Sequence, residues 1–123
     1  MSKTVAVIGA SSDRRKFGNK AVRAFAAQGY TVVPVNPHEA EIEGLKTYPS
    51  VLDIPGPVAM ATVYLRADAG VRVMPEIAKK GIPEVWLNPG ADDDSVIAAA
   101  HANGLQPIVA CSIMGIGEVP GRY

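Results

Sequence analysis

Thr4-Val5-Ala6-Val7-Ile8-Gly9-Ala10-Ser11-Ser12 decides the fold. Its first five residues are a short, β-rich and almost wholly apolar run, the signature of a strand buried on both faces. The run ends in small turn-forming residues, and a helical pattern follows over 17–28, with Ala21, Val22, Phe25 and Ala26 on one face and Gly29 as its stop. A strand, a tight turn and a helix start make an anion cradle. Small residues let backbone N–H groups approach the ligand, and the helix N-terminus adds a partial positive charge. The opening therefore points to a phosphate-bearing ligand.

The same rhythm repeats along the chain. A β-branched run at 31–35 stops at Asn36-Pro37, and Pro34 within it implies an edge where one N–H side is not fully paired. A less regular segment follows, with a short edge strand at 45–48 and a helical turn at 50–54. Strands are expected at 58–65, 84–87 and 107–110, and helices at 69–80 and 93–103, closed by Gly81 and Gly104. This alternation predicts an α/β, Rossmann-like, doubly wound open parallel sheet of about five strands, with helices on both faces and right-handed crossovers. Val5, Val7, Ile8, Val32, Val33, Val63, Val85, Leu87 and Ile108 are the expected core. Trp86 and the methionines read as packing residues. The Gly- and Pro-rich stretch 115–123 has no assignable pattern.

Length and composition fit one domain over residues 1–123, since a chain of this size can bury a sizeable core. Apolar residues make up 48% and charged ones 20%, which excludes disorder. Twelve basic residues balance twelve acidic ones, which argues against a broad nucleic-acid or membrane-surface footprint. The first strand begins almost at once, so no signal peptide is expected, and no apolar run approaches the ~20 residues that span a bilayer. A lone Cys111 suits a reducing, cytoplasmic setting.

Ligands of such sheets bind beyond the carboxyl ends of the strands. That rule gathers Gly9, Ala10, Ser11, Ser12, Asp13, Arg15, Lys16, Phe17 and Gly18 at the first tip. It places Asn36, Pro37 and His38 at the second, Leu65 and Arg66 at the next, and Asn88, Pro89 and Gly90 beyond it. The first loop is neither G-x-G-x-x-G nor a P-loop. No carboxylate stands at the end of the second strand, where an NAD site places one for the ribose diol. A ribose that carries a phosphate has no use for one. NADP and coenzyme A both have such a phosphate, and Arg14, Arg15, Lys16 and His38 are candidate partners for it. Gly9 reads as a turn outside the core, so that a bulkier residue there would cost binding rather than folding.

The segments Val7-Ile8-Gly9-Ala10-Ser11, Tyr30-Thr31-Val32-Val33-Pro34-Val35-Asn36-Pro37, Gly44-Leu45-Lys46-Thr47-Tyr48-Pro49-Ser50-Val51, Asp53-Ile54-Pro55 and Glu84-Val85-Trp86-Leu87 carry a family likeness. The chain resembles the small stand-alone CoA-binding proteins, whose fold is also the CoA-binding domain of the succinyl-CoA synthetase α-subunit. That resemblance implies a ligand, coenzyme A or an acyl-CoA. The loop 9–13 would wrap its pyrophosphate, Asn36-Pro37-His38 would flank the adenosine and its ribose phosphate, Leu65-Arg66 would border the adenine, and Asn88-Pro89-Gly90 would line the site. Many relatives read Arg-Arg where this chain has Leu65-Arg66, and a basic residue just before the late Cys where it has Ala110-Cys111. The ligase domain of the synthetase, with its phosphorylated histidine, is not within these residues.

No catalytic constellation emerges. His101 lies among helix alanines, and no nucleophile elbow is present. Asp92-Asp93-Asp94 opens a helix and lacks calcium-loop spacing, so it reads as capping and not as a metal site. Cys111 has no electropositive neighbours that would activate a thiol. The expectation is a non-catalytic binding module with a small-molecule CoA ligand. An NADP-linked oxidoreductase, or an acyl-CoA-sensing subunit that acts through a protein partner or homo-oligomer, are the alternatives.

Overall fold

The computed structural model describes residues 3–123. The opening run forms β1 (Thr4–Ile8) and leads through the loop 9–16 into α1 (Phe17–Ala27) and β2 (Thr31–Val35). A small hairpin, β3 (Glu41–Ile42) with β4 (Leu45–Lys46), and a 3₁₀ turn at Val51–Asp53 precede β5 (Met60–Val63). Then come α2 (Ala67–Lys80), β6 (Glu84–Leu87), α3 (Asp94–Ala102), β7 (Ile108–Val109) and the short α4 (Ser112–Gly115). The main sheet runs β2-β1-β5-β6-β7, and all four neighbouring pairs are parallel. The chain moves outward from β1 in one direction to β2 and in the other to β5, so the topological switch point lies between β1 and β5.

The strand period sorts side chains onto two faces. Val5, Val7 and Met60 pack with Ala21, Val22 and Phe25 of α1 and Ile113 of α4. Ala6, Ile8, Ala61 and Val63 face Met74 and Ile77 of α2 and Val96 and Ala100 of α3. Both faces of β1 are thus sealed, as its unbroken apolar run demands. Pro34 sits where its missing N–H breaks no bond to β1. Its carbonyl points to the outer side of β2 and accepts from the Tyr48 amide at 3.1 Å.

The expected core holds except at its far edge. Val5, Val7, Ile8, Val32, Val63, Val85 and Leu87 are buried and Val33 is half-buried, but Ile108 is 38% exposed. β7 has only two paired residues and forms the outer margin of the sheet, so its side chains are covered from one side only. Met114 is likewise a surface residue, 66% exposed on the short α4. The tail gains order by docking on α1. Glu118 is buried, accepts from the Tyr123 hydroxyl at 2.7 Å and from Gln28, and Arg23 stacks over the Tyr123 ring. No helix among the described residues is long and apolar enough to cross a membrane.

Candidate functional site

A cleft of about 940 Å³ opens at the carboxyl ends of the strands over the switch point, within the size range of small-ligand sites. Its first wall is the loop after β1. Gly9 has φ +91°, and a Cβ there would lie 2.3 Å from the Tyr64 carbonyl oxygen. Its own amide donates to Val35 O at 3.1 Å, while Tyr64 N donates to Ile8 O at 2.8 Å. Gly18 is fitted as closely, because a Cβ would lie 2.3 Å from Gly9 O. These two glycines let the turn and the first turn of α1 sit against the strand tips. Gly9 is therefore part of the packed sheet and not a free turn outside it. This corrects the expectation that a larger residue would spare the fold.

The turn presents donors. The amides of Ala10 and Ser11, and those of Phe17 and Gly18 in the first turn of α1, have no acceptor among the described residues. All four residues line the cleft. Lys16 occupies the N-cap position without a side-chain cap, and the first turn holds no acidic residue. A helix start left uncapped leaves a partial positive charge at the cavity wall. Asn36 fixes the opposite lip. Its Nδ2 donates to Ala10 O at 2.9 Å, and its Oδ1 accepts from the amides of His38 and Glu39.

The basic run divides. Arg15 is spent on Asp13, with Nε and Nη2 donating to its two carboxylate oxygens at 3.1 and 3.0 Å. Those bonds, and then the Arg15 amide, lower the Asp13 carboxyl to about 2. Arg14 pairs with Glu43, which also accepts from Asn19 Nδ2. The Ser12 amide donates to Glu39 Oε2 at 3.1 Å. Ser12, Asp13, Arg14 and Arg15 do not line the cleft; Lys16 and His38 do.

The later tips divide as well. Leu65, Arg66, Pro89 and Gly90 line the cleft, whereas Asn88 is buried behind it. Asn88 Nδ2 donates to Thr62 Oγ1 at 2.7 Å and Val63 O at 3.0 Å, and its Oδ1 accepts from the Ser112 amide at 2.8 Å. Ser112 Oγ lies 2.7 Å from Thr62 Oγ1 and 3.2 Å from the Tyr64 hydroxyl. Burial, more than any other influence, raises the Tyr64 phenol above its ordinary range. Cys111 is half-buried at the start of α4.

The far wall escaped the reading of strand tips. Pro49, Ser50 and Val51, beside Ala69, Arg72, Val73 and Glu76 of α2, line the cleft there. The spacing 69, 72, 73, 76 is one helix face, and its mixture of small, apolar and charged residues is the signal that could have found it. Among the described residues no group of three or more His, Cys, Asp or Glu is placed to hold a metal ion.

Unpartnered amides beside a cleft at the switch point of a doubly wound sheet mark the position where this class of α/β domain takes its ligands. Sequence comparison narrows the class: the profile described as CoA binding domain matches residues 3–116, and the chain belongs to that family. The α subunit of ADP-forming acetate–CoA ligase II from Pyrococcus furiosus is 38% identical, over 91% of this chain and 27% of that subunit. The chain thus spans about a quarter of the length of that curated relative. An uncharacterized protein of Bacillus subtilis is 30% identical over 72% of this chain and 66% of its own length. Among solved structures, a hypothetical protein from Pyrococcus horikoshii superposes with a TM-score of 0.83 at 28% identity, covering 94% of this chain and 80% of the other. The dinucleotide-forming acetyl-coenzyme A synthetase 1 of Ca. Korarchaeum cryptofilum gives 0.75 at 28% identity, over 88% of this chain and 26% of that one.

Proposed function

We propose that this domain binds coenzyme A or an acyl-CoA in the cleft over the switch point, as a binding module without chemistry of its own. The observation that carries the reading is the set of unpartnered amides at Ala10, Ser11, Phe17 and Gly18 around the uncapped start of α1. A pyrophosphate is the ligand group that such a cradle suits. Lys16, with no ion pair among the described residues, supplies a cation at the same edge, and His38 lines the cleft from the lip after β2. Leu65 and Val35 offer apolar walls for the adenosine. Arg66 borders the mouth, paired only loosely with Asp68 at 3.8 Å. Asn36 shapes the lip by holding Ala10, and Asn88 holds the β6 tip from behind.

Family membership and the ligase relatives support CoA over other phosphate ligands. The pantetheine arm would leave through the open side of the cleft, its thiol or thioester outside the cradle. Calorimetric titration with CoA, acetyl-CoA, NADP and NAD tests the proposal. CoA or acetyl-CoA should bind with NADP and NAD at least tenfold weaker. Binding of NADP without CoA would overturn it.

A further inference from the structure

Within the lining of the cleft, Ser50 and Glu76 meet. The Ser50 hydroxyl donates to Glu76 Oε1 and itself accepts from the Leu52 amide, so both of its roles are used. Glu76 Oε2 has no partner among the described residues, although the side chain is half-buried and lines the cavity. Among the described residues no ion pair closes on it: Arg72, one turn earlier on the same face, lines the cleft without one, and Lys80, one turn later, donates to Ile54 O. A carboxylate turned into a cavity with one oxygen unused is an acceptor that selects for a donor.

Glu76 lies well along α2 from the strand tips, whereas the anion cradle sits at the tips. The lining also carries the apolar Pro49, Val51, Leu65 and Val73, together with the charged Asp68 and Arg72. A ligand that fills this path has a phosphate at one end, a flat apolar body and an N–H donor at its far edge. Adenine, attached through ribose to a phosphate, has that order, and its exocyclic amine is the donor. We propose that Glu76, oriented by Ser50, is the specificity-determining residue that reads the 6-amino group of the base. This rests on the CoA-binding reading above. The same carboxylate would repel the 6-oxo group of hypoxanthine, which presents an acceptor at that position.

The test compares adenosine 3′,5′-bisphosphate with inosine 3′,5′-bisphosphate by calorimetry, on the wild-type protein and on Glu76→Gln. Neither probe has a pantetheine arm, so amides of that arm do not enter. The wild type should prefer the adenine ligand by about tenfold or more, as expected when a charged hydrogen bond is replaced by an acceptor–acceptor contact. Glu76→Gln can donate to a 6-oxo group, so the preference should fall towards unity, with the inosine ligand gaining affinity. Ser50→Ala should keep the direction of the preference, and melting curves report whether either variant has lost its fold. Equal wild-type affinity for the two probes, with CoA still bound, would overturn the role of Glu76 alone. An equal loss of both probes in Glu76→Gln would also overturn it. Failure of the wild type to bind CoA would bring down the underlying reading.

Discussion

The tips of β1 and β6 end in turns with the same outward features: a small polar residue, a glycine at positive φ and a helix to follow. Gly9 has φ +91° and Gly90 has φ +93°. Their surroundings differ. A Cβ on Gly9 would meet the backbone of residue 64, whereas a Cβ on Gly90 would meet nothing within 4 Å. The β1 turn leaves amides unpartnered towards the cleft. The β6 turn is internally satisfied, with Gly90 N donating to Asp92 Oδ1 and Asn88 locked to Thr62, Val63 and Ser112. One tip leaves donors free and the other uses its own, which is the difference the proposed anion cradle rests on. The same residue type serves close approach in the first and only a dihedral angle in the second.

The largest effect should come from Gly9→Ala. A methyl group there needs β1 and β5 to part at their carboxyl ends, and it carries the penalty of a left-handed backbone. Together these cost about 2–5 kcal/mol. Thermal melting should show a fold strongly destabilised, with CoA binding lost in whatever remains folded. A melting temperature near that of the wild type would erase the contrast with Gly90.

Asn88→Ala ranks next. It strips a partner from the buried Ser112 amide and from Thr62 Oγ1, and unsatisfied buried groups of this kind cost about 2–4 kcal/mol in total. The side chain is behind the wall, so CoA affinity measured well below the melting transition should stay within about threefold. A large affinity loss with a small stability loss would move Asn88 into the ligand shell, the role its family resemblance implied.

The architecture was legible because β1 and β2 are β-rich, nearly unbroken apolar runs and the helices stop at glycine. β7 was only half legible. Ile108 reads like core, but burial of a strand depends on what lies beyond it, and β7 has no outer neighbour in the sheet. In the site, the tip rule located Gly9, Ala10, Ser11, Lys16, Phe17, Gly18, Asn36, Pro37, His38, Leu65, Arg66, Pro89 and Gly90 on the cleft. It also offered Ser12, Asp13, Arg15 and Asn88, which the fold turns to other partners. The order Asp13-Arg14-Arg15 shows a basic run but does not show that Asp13 and the distant Glu43 neutralise its two arginines. The α2 wall was missed because tip logic looks at strand ends, and Glu76 reaches the cleft from the body of a helix.

That neutralisation makes a sharper test within the first loop. Lys16→Ala should weaken CoA binding about tenfold or more, the order of one charge-assisted hydrogen bond. Arg15→Ala should change it by less than about threefold, since its side chain is 91% exposed to solvent and does not line the cleft. Titration with dephospho-CoA then separates two roles for Lys16. A loss confined to CoA places the ammonium on the ribose phosphate, and an equal loss for both ligands places it on the pyrophosphate. A larger effect at Arg15 would mean that the Asp13 pair opens when ligand enters.

The smallest effect should be that of Gly90→Ala. The β6 turn requires positive φ, so alanine costs about 1–2 kcal/mol in backbone strain. No neighbour is displaced, because the space around the new methyl group is open. The amide bond to Asp92 is unaffected in chemistry and needs only the same backbone path. Melting should therefore fall by a few degrees, and CoA affinity should remain within about threefold. The measurement matters because Gly90 lines the cleft. If the ligand presses on the backbone at this tip as a phosphate would at Gly9, the added methyl would cost tenfold or more in affinity at unchanged stability. That result would make the β6 turn a second point of close approach, and the two tips would then differ in packing but not in function.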